Sequence, residues 1–424
     1  VADRQLRTGV MAAADAQSFW MSAKIPNDMF QVCGFDGVPA DLDEALAAVR
    51  RNVAACPELL VRIDDSDSWR YPSWVRCDLA EESVVVHELD DASWSGCLDA
   101  IRGVAAGEQL DAAVQVWRLH VFAGVTGMPE TTGPGTVVVV QMSHPLADGR
   151  RATALVGRIF GRDQEVPAVV EPRWGTWALP YLAWRASAAH RRLVQDTESG
   201  AVAAPADSWP LQPTNNAPEG PDVLRAVVRH RAQLPGPTVT VGVLAAISEA
   251  LAAELGGVTA LGAEVPMAKT STRHAYNHYG NVSVALHPQL PFHERAVRIE
   301  AELAQRRQRF EHPAVTASDA ASAAVPAPVL RWGLGHFDPH ARSATAAGNT
   351  VVSSVNRGPA DLTFGGCPVV LSTACPALSP MMGLTHGVHG IGDIVTISVH
   401  ASPSALPDVD SYVERLSAVL DSGA

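Results

Sequence analysis

Thr136-Val-Val-Val-Val-Gln-Met142-Ser143-His144-Pro145-Leu146-Ala147-Asp148-Gly149-Arg150-Arg151 carries the strongest structural signal in the chain. Its valine run is that of a strand buried on both faces, because β-branched side chains pack well against a pleated sheet. The strand enters a short polar loop, after which Ala154, Leu155 and Ile159 recur at helical spacing. This order holds His144 on the end of a rigid element. A neutral imidazole, with a reference pKa of about 6.5, accepts a proton at neutral pH. Asp148 has two readings: it orients the His144 ring, or it turns away to pair with an arginine and fix the loop. Gly149 suits a backbone position where a side chain would clash.

Outward from this stretch the first half reads as mixed α/β. Asp41 caps a helix in which Glu44 completes a capping box, and Leu42, Leu46, Val49 and Val53 share one face before Pro57 ends it. Phe30–Phe35 and Val114–Phe122 carry strand composition. Eight prolines between Val166 and Pro221 interrupt any long element and leave a connector with one helix, near Leu182–Gln195. The chain divides accordingly into residues 1–165, a connector over 166–221, and residues 222–424. The second half repeats the mixture, with strands near Val223–Leu234, Ala260–Pro266, Val282–His287, Thr350–Val355 and Ile394–His400. Helical patterns cover Val241–Leu255, Glu294–Phe310 and Val409–Leu420, while Ala314–Ala327 reads as loop or weak helix.

The 424 residues carry 32 Lys+Arg against 45 Asp+Glu, a formal charge of -13. That balance disfavours nucleic acid as a partner, since such binding needs clustered positive charge. Six cysteines without a C-x-x-C pair point to reduced thiols rather than a zinc ribbon or disulfide scaffold. No apolar run is long enough for a transmembrane segment, and no secretory leader pattern opens the chain. These features suit a cytoplasmic protein, free or peripherally associated with a membrane.

In this setting His144-x-x-x-Asp148-Gly149 resembles the signature of the coenzyme A-dependent acyltransferase superfamily, which includes chloramphenicol acetyltransferases and nonribosomal condensation domains. Over most of its length the chain is similar to the bacterial wax ester synthase/diacylglycerol acyltransferase family. The resemblance is carried by Asp15-Ala16, Val38-Pro39-Ala40-Asp41-Leu42, Trp117 ahead of the catalytic strand, Val265-Pro266-Met267, Tyr279-Gly280-Asn281, Arg357-Gly358-Pro359 and Phe364-Gly365-Gly366, in that order. The chain departs from that family where Ser143 stands for the first of two consecutive histidines, and where Val355-Asn356-Arg357-Gly358-Pro359 replaces Asn-Val-Pro-Gly-Pro.

The resemblance implies an α/β (α+β) protein of two chloramphenicol acetyltransferase-like lobes, each a mixed sheet with flanking helices, and an active-site tunnel between them. It implies an acyltransferase in lipid or specialised-metabolite biosynthesis. His144 would be the general base on a hydroxyl or amine acceptor, with Asp148 and Gly149 shaping its loop. The co-substrate would be an acyl-CoA or the phosphopantetheine thioester of an acyl carrier protein, with no permanently bound cofactor and no metal. The alternative is a non-catalytic superfamily member that binds acyl chains or a carrier protein.

Ser143, Trp117, Asn281, His386 and Arg357 are further candidates for contact with substrate. Asn281 and Arg357 otherwise read as turn and surface residues, and the segment around His386 and His389 as a Gly/His-rich turn before a core strand. His386-x-x-His389 and His274-x-x-x-His278 lack the helical setting and nearby carboxylates of a metal site. Arg150-Arg151 reads as a solvated helix face, and the tryptophans as core or interface anchors.

Overall fold

The computed structural model describes residues 7–107, 109–172 and 174–422. Strand β1 (Arg7–Val10) and helix α1 (Ala13–Ser22) precede β2 (Met29–Phe35), which is buried from Phe30 onward. Helix α2 (Leu42–Ala54) begins where Asp41 accepts a hydrogen bond from the Glu44 amide, and it buries Leu46, Val49 and Val53 as its spacing predicts. The capping box is only half-formed, because the Glu44 carboxylate turns to Arg51 instead. Then follow β3 (Val61–Asp64), β4 (Ser73–Arg76), β5 (Val84–His87), α3 (Trp94–Ala106), β6 (Trp117–Val125), β7 (Gly135–Met142) and α4 (Gly149–Ile159).

The connector helix α5 (Leu179–Glu198) runs longer than its proline boundaries suggest. Beyond it lie β8 (Trp209–Pro210), β9 (Val223–His230), α6 (Val239–Glu254), β10 (Gly262–Ala268), β11 (Tyr279–Ala285) and α7 (Phe292–Phe310). Pro313 opens α8 (Pro313–Ala323), so the alanine-rich stretch is a helix, capped by the His312 imidazole, and α9 (Ala327–His336) follows. The chain ends with β12 (Thr345–Ala346), β13 (Thr350–Asn356), β14 (Thr363–Phe364), β15 (Cys367–Ala374), β16 (Leu384–Ile391), β17 (Ile394–Ala401) and α10 (Val409–Ser422).

Two six-stranded mixed sheets organise these elements, one in the order β14-β15-β2-β7-β6-β5 and the other β11-β10-β13-β16-β17-β9. A small sheet, β1-β4-β3, and the ribbon β8-β12 accompany them. In the first sheet β7 is buried at every residue, as the valine run requires: Val138, Val140 and Met142 join the core under α2 and α4, while Val137 and Val139 join the core under α3. In the second, Val352, Leu384, Val388 and Ile397 pack against α6 and α10.

The strands do not divide along the chain as cleanly as the proline-rich connector suggests. Cys367–Ala374, from the span 222–424, pairs antiparallel with β2 and so completes the first sheet. It also lies against β16 and β17 of the second sheet. Segment 384–391 is a fully buried central strand, not a turn. Its glycines read as turn residues but serve close packing: a Cβ on Gly387 would come within 2.5 Å of the Ser398 hydroxyl. Trp69, Trp177, Trp184 and Trp332 are exposed rather than core anchors. No described helix is long and apolar enough to cross a membrane.

Candidate active site

β7 ends at Met142, and the Ser143 amide still donates to the Val116 carbonyl at 2.9 Å before His144–Leu146 close a single 3-10 turn. Asp148 caps α4: its Oδ1 accepts from the Arg151 amide at 2.9 Å. Its Oδ2 accepts from the His278 amide at 3.1 Å and pairs with Arg273 at 2.8 Å. The carboxylate therefore takes the second of its two readings. It turns away from the imidazole and anchors the 273–279 segment of the second half onto the loop that carries His144.

That segment is held from a second side by Asp15, buried in α1, whose carboxylate accepts from the amides of Tyr276 and Asn277, each at 2.8 Å. Burial pushes the Asp15 pKa up to about 6, against the pull of those Asn277 and Tyr276 bonds. The Asn277 side chain bridges Asp15 and the His144 carbonyl, donating at 3.1 and 2.9 Å. Arg151 is buried, not solvated: it donates to the carbonyls of Leu146 and Pro167, and its guanidinium lies 3.8 Å from the Tyr276 ring centre. The backbone of His144 is thus fixed by groups separated by more than a hundred residues.

The His144 ring itself is left nearly free. Nε2 lies 3.3 Å from the Tyr279 hydroxyl, and buried Nδ1 has no hydrogen-bond partner. Burial lowers the imidazole pKa, opposed by the ring's lean on its own carbonyl, by Asn277 and by Asp148. The result is a neutral imidazole at pH 7. Burial also raises the Tyr279 pKa, so it stays a phenol and can donate to Nε2.

Both residues line a cavity of about 570 Å³. Its walls come from both halves of the chain: Asn27, Asp28, Gln31 and Met142 on one side, Ala268, Asn281, Ser353, Arg357, Cys375 and His389 on the other. At Gly149 the halves approach closely, since a Cβ there would sit 3.2 Å from Val355 Cγ2. A Cβ on Gly149 would thus be tight against Val355, in the first turn of α4 and without a left-handed backbone.

His144, Asp148, Gly149, Asn281 and Arg357 all line this cavity, whereas Ser143, Trp117 and His386 do not. Trp117 is a core residue whose indole donates to the Leu59 carbonyl at 2.8 Å. Ser143 is buried beneath the turn. His386 lies on the opposite face of β16 from the cavity, bonded to Thr350 and to Tyr412 of α10. Arg357 is buried rather than on the surface. The sequence reading missed Asp15 as a support, along with Arg273, Asn277, Tyr279 and His389. For His389 a signal was present: if Leu384 and Val388 face the core, strand alternation sends His386 with them and His389 to the other face.

No protein-family model and no curated protein matches the sequence. Solved structures match nearly its whole length. The wax ester synthase/diacylglycerol acyltransferase from Marinobacter aquaeolei VT8 superposes with a TM-score of 0.63 at 16% identity, over 97% of this chain and 98% of that one. A mutant starter condensation domain of the rhizomide synthetase RzmA, in complex with C8-CoA and Leu-SNAC, gives 0.59 at 14% over 98% and 95%. The first condensation domain of the CDA synthetase gives 0.59 at 15% over 99% and 97%. The chain therefore has the two-lobed chloramphenicol acetyltransferase-like fold of the coenzyme A-dependent acyltransferases and condensation domains, the fold its histidine motif implied.

Proposed function

We propose that this protein is an acyltransferase, moving an acyl group from a thioester, acyl-CoA or acyl carrier protein, to a hydroxyl or amine acceptor. The observation that carries the reading is His144: a neutral imidazole on the end of β7, held through its backbone, with its ring open to a cavity walled by both halves.

In the reaction the acceptor O–H or N–H gives its proton to His144 Nε2 as the oxygen or nitrogen attacks the thioester carbonyl carbon. Tyr279, 3.3 Å from Nε2, donates to that nitrogen in the free enzyme and thereby sets the tautomer with the proton on Nδ1. When acceptor binds, the same hydroxyl is placed to donate to oxygen at the reacting centre. The tetrahedral adduct collapses by breaking the C–S bond, and the imidazolium returns its proton to the departing thiolate. The products are an ester or amide and a free thiol. No acyl-enzyme is formed, so no cysteine or serine nucleophile is needed. Asp148 contributes as a positioning residue: it holds α4 and the 273–279 segment, and through Asn277 the His144 backbone.

Thiol release from octanoyl-CoA, measured against a panel of alcohols and amines, tests the reading. Turnover with at least one acceptor, reduced about 10^2- to 10^4-fold by His144→Ala, is expected. Undiminished turnover in that variant would remove the general base. Acyl ligand binding without thiol release for any acceptor would favour a binding protein on the same fold.

A further inference from the structure

Arg357 sits directly after β13 with its backbone pinned on both sides: its amide donates to the Gly390 carbonyl at 2.7 Å, and its carbonyl accepts from Arg162 at 3.1 Å. Its side chain lines the cavity, and the residue is only 5% exposed. One corner of the guanidinium is used, with Nη1 donating to Thr153 Oγ1 at 2.8 Å and, more weakly, to the Gly149 carbonyl at 3.4 Å. The other edge is empty. Nε is buried without a partner, Nη2 makes no hydrogen bond, and no described carboxylate pairs with this side chain.

That edge, Nε with Nη2, is the one with which Arg225 and Arg229 grip both oxygens of a carboxylate. Arg229 places Nε and Nη2 on the two oxygens of Asp421 at 2.8 and 2.9 Å, and Arg225 does the same to Asp410. The other buried arginines are satisfied: Arg295 by Glu249 and three carbonyls besides that of Ala245, Arg151 by two carbonyls and an aromatic face. Arg306 and Arg331 also have an unpartnered Nε, but both side chains are partly exposed. A buried guanidinium without an anion is costly, and here burial lowers its pKa only to about 10, so it keeps its charge. Beside it, on the strand register that pairs Val355 with His389, stands a second unsatisfied group: His389 lines the same cavity with Nδ1 unpartnered. Burial and the Arg357 charge hold that imidazole neutral, with one N–H to donate.

We infer that the empty edge of Arg357, with His389, receives a carboxylate carried by the acceptor, so that the substrate acylated at His144 is a hydroxy acid or amino acid. This rests on the acyltransferase reading for the chemistry, though not for the binding. The planar two-donor edge matches the two oxygens of a carboxylate. The hydroxyl or amine at the other end of the acceptor is the group that reaches Nε2, and its carboxylate stays unchanged through the reaction.

Calorimetric titration of the full chain with meta- and para-hydroxybenzoate and with omega-hydroxyhexanoate, each against its methyl ester, tests the inference. At least one acid is expected to bind about 10- to 100-fold more tightly than its ester, the gain of a charge-assisted pair. Arg357→Gln should abolish that preference, and Arg357→Lys, which keeps the charge without the fork, should retain part of it. Equal binding of every acid and ester by the unaltered protein would overturn the assignment without recourse to a variant. So would octanoate competing as well as the hydroxy acids, since the site would then hold a fatty-acid carboxylate. Thiol release from octanoyl-CoA separates the two readings. Acid-selective binding through Arg357 without thiol release would sink the transferase and leave the carboxylate site. Equal transfer to acids and esters, unchanged in Arg357→Gln, would sink the site and leave the transferase.

Discussion

His144, half-buried, and His386, buried, each lie beside one tyrosine, and their fates differ. His144 Nε2 is 3.3 Å from the Tyr279 hydroxyl with ring centres 6.0 Å apart; His386 Nε2 is 2.9 Å from the Tyr412 hydroxyl with ring centres 5.8 Å apart. What separates them is the other nitrogen and the other side of the ring. His386 Nδ1 is bonded to Thr350 Oγ1 at 2.8 Å and its ring is enclosed between β16 and α10. His144 Nδ1 has no partner, its fixing bonds go to its backbone, and its ring meets the cavity. A histidine tied at both nitrogens supports structure; one held by its main chain with its ring free is available for chemistry.

Exchange of the two histidines for alanine tests this contrast most strongly. His144→Ala should lower kcat/KM by about 10^2- to 10^4-fold while leaving the urea midpoint nearly unchanged. A similar loss from His386→Ala measured on folded protein would erase the distinction. Asp148→Ala comes next. It leaves the largely enclosed Arg273 without its carboxylate and removes the α4 cap, so about 3 kcal/mol of stability should be lost. If Asp148 acted on the imidazole instead, activity would fall with little change in the urea midpoint.

Acid separates the pair by a further, smaller amount. Burial pushes the His386 pKa down to about 3. Below about 6.5 the unfolded chain binds a proton there that the folded chain does not, so stability falls as pH falls. Between pH 7 and 5 this one group contributes a loss of about 2 kcal/mol. The stability gap between the unaltered protein and His386→Gln, followed by urea unfolding, should narrow by that amount over the same interval. A gap independent of pH would mean that His386 takes up its proton in the folded chain as readily as in the unfolded one. For His144 the shift shows in activity: its pKa lies below the ordinary histidine value, so the acid limb of kcat/KM should fall below pH 6.5.

The same contrast shows what sequence can carry. The β7 strand, its loop and α4 were legible because each rests on local signals: a valine run, a short polar stretch, helical periodicity. So was the two-lobed fold, through the family resemblance that the short motifs carry in their order along the chain. What the sequence left open is long-range. The choice between the two roles of Asp148 is made by Arg273 and the His278 amide, well over a hundred residues away, and no local pattern announces that pairing. Strand β15 was hidden because Pro368 argues against a strand, although the edge-forming residues around it pair with β2 and β14. In β16 the glycines drew attention to a turn, while the alternation of Leu384, His386 and Val388 already indicated which histidine faces the core.

The two tyrosines provide the finest test. Tyr412→Phe removes a hydroxyl whose partner, His386 Nε2, is buried; the imidazole N–H or lone pair is then unsatisfied, and about 1 to 2 kcal/mol of stability should go, with kcat unaffected. Tyr279→Phe removes a hydroxyl that faces the cavity, where water can replace it, so stability should change by less. Its effect belongs in the rate. On the proposed mechanism, losing this donor should lower kcat about 10-fold. Because that hydroxyl bonds to the neutral form of His144, its loss also favours the imidazolium, and the acid limb should move upward in pH. A drop in kcat with an unmoved acid limb would assign Tyr279 to the developing oxyanion alone. A moved limb with unchanged kcat would assign it to the base alone. No change in either would show that the 3.3 Å approach of the two side chains has no part in catalysis.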